Sequence, residues 1–227
     1  FTATVQTVIP ASPRKGLPRL PLQKDPPESM RYRKGLNQFF KENRIRAIEA
    51  PMRALAEGLA RDLAAAATPE FGTGFAAPFT VGSLCILAGM DLSEADELGR
   101  LGHDYVAAVQ GGDMATAGAI SRAIDGFALR LVADRQAAPR DPETDIVSGL
   151  MAFDPDGGPY TTEELAGMVR LMLIGGHVVP RNFLCSMAWH LAGDGALQAR
   201  LRADRLDRRL LIEEMLRCYS PNQALVR

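Results

Sequence analysis

The stretch from Leu165 to Leu191 is the most apolar part of this chain, yet it contains Arg170, His177, Arg181 and His190. A membrane helix of that length rarely tolerates four such residues, so the stretch reads as a helix buried inside a water-facing protein. Its start is marked by Thr161-Thr162-Glu163-Glu164, where Glu164 stands three residues after Thr161 and makes a capping box. From there the helical pattern runs to about residue 192, interrupted by Gly175-Gly176-His177. Pro180 lies just beyond and removes the hydrogen bond to the Gly176 carbonyl, which predicts a kink.

A chain of 227 residues is long enough for one domain, or two. Its 47% apolar content supplies a sizeable core, and the net charge of −1 gives no general attraction to nucleic acid or to an anionic membrane. Cys85, Cys185 and Cys218 are scattered without CxxC spacing, so neither a disulfide framework nor a metal site is expected. Such cysteine usage fits a reducing, cytoplasmic setting. The chain opens on Phe1, so no targeting signal is readable from it.

Helix signals dominate the rest. Residues 1–28 carry Pro10, Pro13, Pro18, Pro21, Pro26 and Pro27 and read as irregular or extended. A short basic helix is expected over 28–41. Ile45, Ile48, Met52, Leu55, Leu59 and Leu63 then recur at helical spacing over 43–67, with Pro51 as a kink or break. Helices are also expected over 80–89, 93–110, 114–137, about 145–152, 194–203 and 206–218. Asp141-Pro142-Glu143-Thr144-Asp145 caps the short one, and Asp154-Pro155-Asp156-Gly157-Gly158-Pro159 is a turn cluster. No run of alternating strands is visible. The expectation is a mainly α architecture with a long central helix.

Three segments carry chemistry. Asp25-Pro26-Pro27-Glu28 leads into Arg31-Tyr32-Arg33; Gly175-Gly176-His177-Val178-Val179-Pro180-Arg181-Asn182 interrupts the long helix; and Glu214-x-x-Arg217 precedes Ser220-Pro221 and Arg227. Glu214 and Arg217 share a helical face, a pairing that charged helices also produce by chance. Arg31, Arg33 and Lys34 are equally readable as a solvated helix face. His177 is as readable as a histidine packed or bonded to backbone as it is a proton carrier, and Gly175 and Gly176 would let a flat ligand approach the backbone.

In this order and spacing the three segments resemble the bacterial soluble cytochromes P-450, the haem-thiolate monooxygenases. The resemblance implies a partial form of that helical fold over residues 1–227 as a single domain. It further implies a haem b cofactor, a small apolar substrate and electrons from a ferredoxin or similar donor. Arg33 and Arg227 match propionate-binding positions, since a buried dicarboxylate cofactor needs permanently charged, fork-shaped partners. Ser29 stands where the family often has histidine, and Glu214 and Arg217 match its structural ion pair. The family's N-terminal strands and cysteine loop are expected to lie outside this span. Cys218 lacks the glycine-rich context of that loop, and Cys85 and Cys185 fall within expected helices, so no metal ligand is assigned.

The family pattern at the interrupted helix is Ala/Gly-Gly-x-acid-Thr. Arg181 and Asn182 hold the register, which puts Val178 at the acid position and Val179 at the threonine position. Valine neither donates nor accepts a proton, and general acid help is commonly worth a factor of about 10² to 10⁴. Atypical oxygen activation follows, through a peroxide or a proton donor on the substrate. The alternative is a haem-less relative serving as an auxiliary binding protein.

Overall fold

The computed structural model describes residues 16–154 and 156–221. Ten α-helices carry the fold: α1 Glu28–Asn37, α2 Glu42–Ala65, α3 Ala77–Ala88, α4 Ala95–Gln110, α5 Met114–Ala137, α6 Ile146–Ala152, α7 Thr162–Gly175, α8 Val178–Gly193, α9 Gly195–Arg202 and α10 Arg208–Cys218. No strand occurs among the described residues. The mainly α expectation is met, and helix ends fall within a few residues of those expected.

Local chemistry explains most boundaries. Thr161 and Glu164 form the expected reciprocal cap at the start of α7. Asp145 accepts from the Ser148 N–H at 2.7 Å to start α6, and Asp113 caps α5 through the Thr116 N–H. Gly89, at φ 70°, ends α3 in the left-handed conformation that glycine adopts without strain. Pro51 neither breaks nor splits α2, which runs through it as one helix. Ahead of α3, residues Gly72–Ala76 form a π-helical turn, which the sequence did not signal.

The core gathers where α5 and α7 cross. Phe127, Ala128, Leu131 and Val132 of α5 meet Leu165, Met168, Val169 and Leu173 of α7, with Val81, Leu84 and Cys85 of α3 and Leu150 of α6 adjoining. Two buried arginines tie loops to this core. Arg135 donates to Asp145 at 2.8 Å, and Arg44 donates to the Thr144 carbonyl at 2.8 Å. A buried guanidinium is tolerated here because a carboxylate or carbonyls meet it.

The long apolar stretch is two helices. α7 ends at Gly175, and α8 begins at Val178 after a break at Gly176 and His177. Pro180 therefore sits in the first turn of α8, where an amide N–H would have had no intrahelical acceptor. The expected kink is present, at Gly176 and His177, three to four residues upstream of the proline. The halves differ in cover: α7 buries Leu165 to Arg170 and Leu173, whereas no residue of α8 is fully buried.

Candidate functional site

The helix break is where the residues singled out by sequence converge. Gly175 is exposed, and a Cβ placed on it would meet nothing within 4 Å. Gly176 is different: a Cβ there would come within 3.0 Å of Leu84 Cδ1 on α3. The two glycines thus divide the work. Gly176 lets α3 pack against the break, and Gly175 leaves backbone open to a flat partner. Val178 and Val179 follow on the first turn of α8, both half-buried. Neither side chain carries a proton-transferring atom.

His177 is buried at 2% exposure, with Nδ1 3.1 Å from Thr80 Oγ1. The Thr80 hydroxyl also lies 2.9 Å from the Ala76 carbonyl. A hydroxyl has one proton, so a Thr80 that donates to Ala76 accepts from His177 Nδ1–H, leaving the imidazole lone pair on Nε2. The ring packs against α4, where a Cβ at Gly102 would approach His177 Cδ2 to 2.5 Å. Burial, helped by the positive neighbours Arg181 and His103, pushes its pKa down to about 4. At neutral pH the ring is uncharged. The ring is buried, and its Nδ1 meets the Thr80 side chain rather than backbone. A cavity of about 340 Å³ lies alongside, lined by Thr73, Val81, Asp96, His103, Asp104 and His177 among others.

The other expected site residues are spread out. Ser29 is buried in the first turn of α1, and Arg33 is exposed on the same helix. Arg31, which sequence left as a possible solvated cation, is instead clamped: it donates to Glu164 Oε1 at 2.9 Å and to the Gly158 carbonyl at 2.8 Å. Glu214 and Arg217 do pair, with two bonds of 2.7 and 2.8 Å, but both side chains are exposed. Arg227 lies outside the described residues.

The cysteines offer no thiolate of the kind a haem ligand requires. Cys85 is buried in the core, and burial pushes its thiol up to about 11. Cys185 is half-buried within α8 with its pKa also raised by burial, and Cys218 is exposed at the end of α10. No cluster of metal-ligating side chains occurs among the described residues. No helix among them is long and apolar enough to cross a membrane.

Comparison with known proteins finds one set of relatives. Cytochrome P450 109 of Bacillus spizizenii is 25% identical over 213 residues, covering 91% of this chain and 52% of the relative. Vitamin D(3) 25-hydroxylase of Pseudonocardia autotrophica is 27% identical over 235 residues, covering 96% of this chain and 54% of the relative. Among solved structures, a mutant of P450 EryK in complex with erythromycin B superposes with a TM-score of 0.74 at 22% identity, covering 96% of this chain and 56% of that one. In sequence over most of its length, and in fold, this chain is similar to the bacterial cytochromes P450.

The chain spans about half the length of the curated relatives it matches. No protein-family model matches it. Within a P450 fold, the bent α7–α8 pair is the long central helix, and its break falls at the glycines picked out by sequence.

Two side-chain groupings escaped the sequence reading. The Thr80–His177 contact joins residues far apart in the chain, and nothing local in α3 announces it. Arg170, with Asp125 and Ser121 of α5, did leave a signal: a lone charge inside the apolar run Met168-Val169-Arg170-Leu171-Met172.

Proposed function

We propose that this chain forms the oxygen-facing part of a haem-dependent monooxygenase acting on an apolar organic substrate, with an unusual proton supply. The observation that carries the reading is the break itself: an open glycine, Gly175, followed by two valines where the family places an acid and a threonine. The relatives support the substrate class, since one is a vitamin D(3) hydroxylase and a structural neighbour was solved with erythromycin B.

The residues present fit haem in part. Gly175 leaves room for a flat macrocycle, and Arg33 offers an exposed guanidinium for a propionate, with Arg227 as a second by family position. None of Cys85, Cys185 and Cys218 is placed as a ligand that would hold the haem iron. When bound, a haem b would supply the one-electron and oxygen chemistry, fed by a ferredoxin or similar donor.

What the chain's own residues do follows from their type. Gly175 permits close approach. Val178 and Val179 carry no proton-transferring atom. Neutral His177, fixed by Thr80 and the Gly102 face, holds the geometry of the break rather than replacing the missing acid. The proton must therefore come from water, from a peroxide co-substrate or from the substrate.

Replacing Val179 with threonine and measuring product formed per reducing equivalent tests this. A gain in coupling is expected; an unchanged ratio in a folded, haem-loaded protein would overturn the missing relay as the limiting feature. A second reading is a haem-less auxiliary binding protein. Failure of the full-length protein to take up haem would select it.

A further inference from the structure

His177 has one nitrogen engaged and one open. Its Nδ1 meets Thr80 Oγ1, and that hydroxyl lies 2.9 Å from the Ala76 carbonyl and 3.1 Å from the Ala77 carbonyl. With the hydroxyl proton committed to those carbonyls, the ring proton sits on Nδ1 and Nε2 carries a free lone pair. Nε2 has no hydrogen-bond partner among the described residues. The described side-chain atoms that are both sealed and unpartnered are Gln38 Nε2, Arg44 Nε, Ser83 Oγ, Arg135 Nη2 and Arg170 Nη1. His177 Nε2 is not one of them, so it keeps accessible surface although the residue is 2% exposed.

That surface belongs to the cavity of about 340 Å³ between α3, α4 and α8, which His177 lines. The Cδ2–Nε2 edge of the ring faces α4, where a Cβ on Gly102 would come within 3.1 Å of Nε2, and Gly99 and His103 of the same helix line the cavity. Ala77, Pro78, Val81 and Ala95 add apolar wall. Asp96 and Asp104 line it together with Arg100 and Arg181, so the formal charges cancel and no net charge selects an ion. His103 brings a second imidazole, yet no group of three metal-ligating side chains occurs among the described residues. The volume lies within the range of small-molecule sites, which begins at about 300 Å³.

We propose that this cavity binds a small neutral phenol whose hydroxyl donates to His177 Nε2. A buried acceptor left unmet costs free energy, and a donor on a bound molecule removes that cost. A phenolic hydroxyl, with a pKa near 10, is a stronger donor than an aliphatic one. Its flat ring suits the apolar wall, and Arg100 and Arg181 bring guanidinium groups that attract an aromatic face. This goes beyond the monooxygenase reading and stands apart from it, because binding here requires no haem.

Isothermal titration of the protein with phenol, anisole and cyclohexanol tests the proposal. Phenol is expected to bind about three- to tenfold tighter than anisole, the worth of one neutral hydrogen bond, and tighter than cyclohexanol. His177→Leu should make phenol and anisole bind alike. Gly99→Leu should weaken phenol about tenfold or more while keeping a cooperative thermal melt, since a Cβ there meets only Val81, at 3.6 Å, and the rest of the side chain fills the cavity. In protein labelled with ¹⁵N-histidine, the His177 Nε2 resonance should move with phenol and stay still with anisole. The proposal is overturned if phenol and anisole bind the unaltered protein alike, if neither binds, if cyclohexanol matches phenol, if Gly99→Leu leaves phenol affinity unchanged, or if the Nε2 resonance does not move at saturation. Haem uptake enters none of these readouts, so failure here and failure of the monooxygenase reading are distinguishable.

Discussion

Arg31 on α1 and Glu164 in the first turn of α7 are joined at 2.9 Å, and the Tyr32 hydroxyl donates to the same carboxylate oxygen at 2.7 Å. Arg31 also donates to the Gly158 and Asp156 carbonyls, so one side chain ties α1 to the turn before α7 and to α7 itself. Tyr160 stacks alongside, with the guanidinium 4.6 Å from its ring centre. Arg31→Met should lower stability by about 1–3 kcal/mol in denaturant titration, because several acceptors lose their donor. Arg31→Lys should recover little, since a point charge cannot reproduce the fork.

The Glu164 carboxyl gives a pH signature. Burial alone would raise its pKa, but the Thr161 N–H, the Tyr32 hydroxyl and Arg31 outweigh that and hold it below the usual value. Stability from this group is therefore fully present above the unfolded value of about 4.3 and lost as pH falls through the folded one. Glu164→Gln should lower stability at pH 7 and flatten its fall at acid pH, as read by thermal melts across that range.

His177 acts at higher pH. Its folded pKa of about 4 lies below the unfolded value of about 6.5, so its contribution is complete above pH 6.5 and is lost as pH falls toward 4. The groups facing it are Thr80 on α3, His103 on α4 and Arg181 on α8. His177→Leu should remove the loss of stability between pH 6.5 and 4. An unchanged slope in that window would contradict a buried, neutral ring.

The two glycines at the break make opposite predictions. Gly176→Ala places a methyl 3.0 Å from Leu84 and should destabilise by about 1–3 kcal/mol. Gly175→Ala meets open space and should be neutral or stabilising by about 0.5–1 kcal/mol. Paired denaturant titrations decide both.

Much of this was legible in the sequence because its causes are local. The capping box at Thr161 and Glu164, the Asp145 cap and the periodic apolar stripe of α2 rest on neighbours within a few residues, and each appears as expected. The Gly175-Gly176-His177 interruption was legible too, but the role of each residue was not. Gly176 is a packing residue because Leu84 on α3 lies against it, and His177 is a brace because Thr80 and Gly102 meet it. A surface cation stayed open as a reading of Arg31 because its acceptors lie more than a hundred residues away. Pro51 was expected to kink or break α2, and it does not break it: the helix continues through the proline.

On the proposed monooxygenase reading, a haem would lie against the open backbone at Gly175. The direct measurement is haem bound per chain, by absorbance, for the full-length protein and for Gly175→Leu. One haem per chain in the unaltered protein is expected, with occupancy sharply reduced in Gly175→Leu at an unchanged thermal melt. Absence of haem uptake by the folded unaltered protein, or full occupancy in Gly175→Leu, would contradict the account.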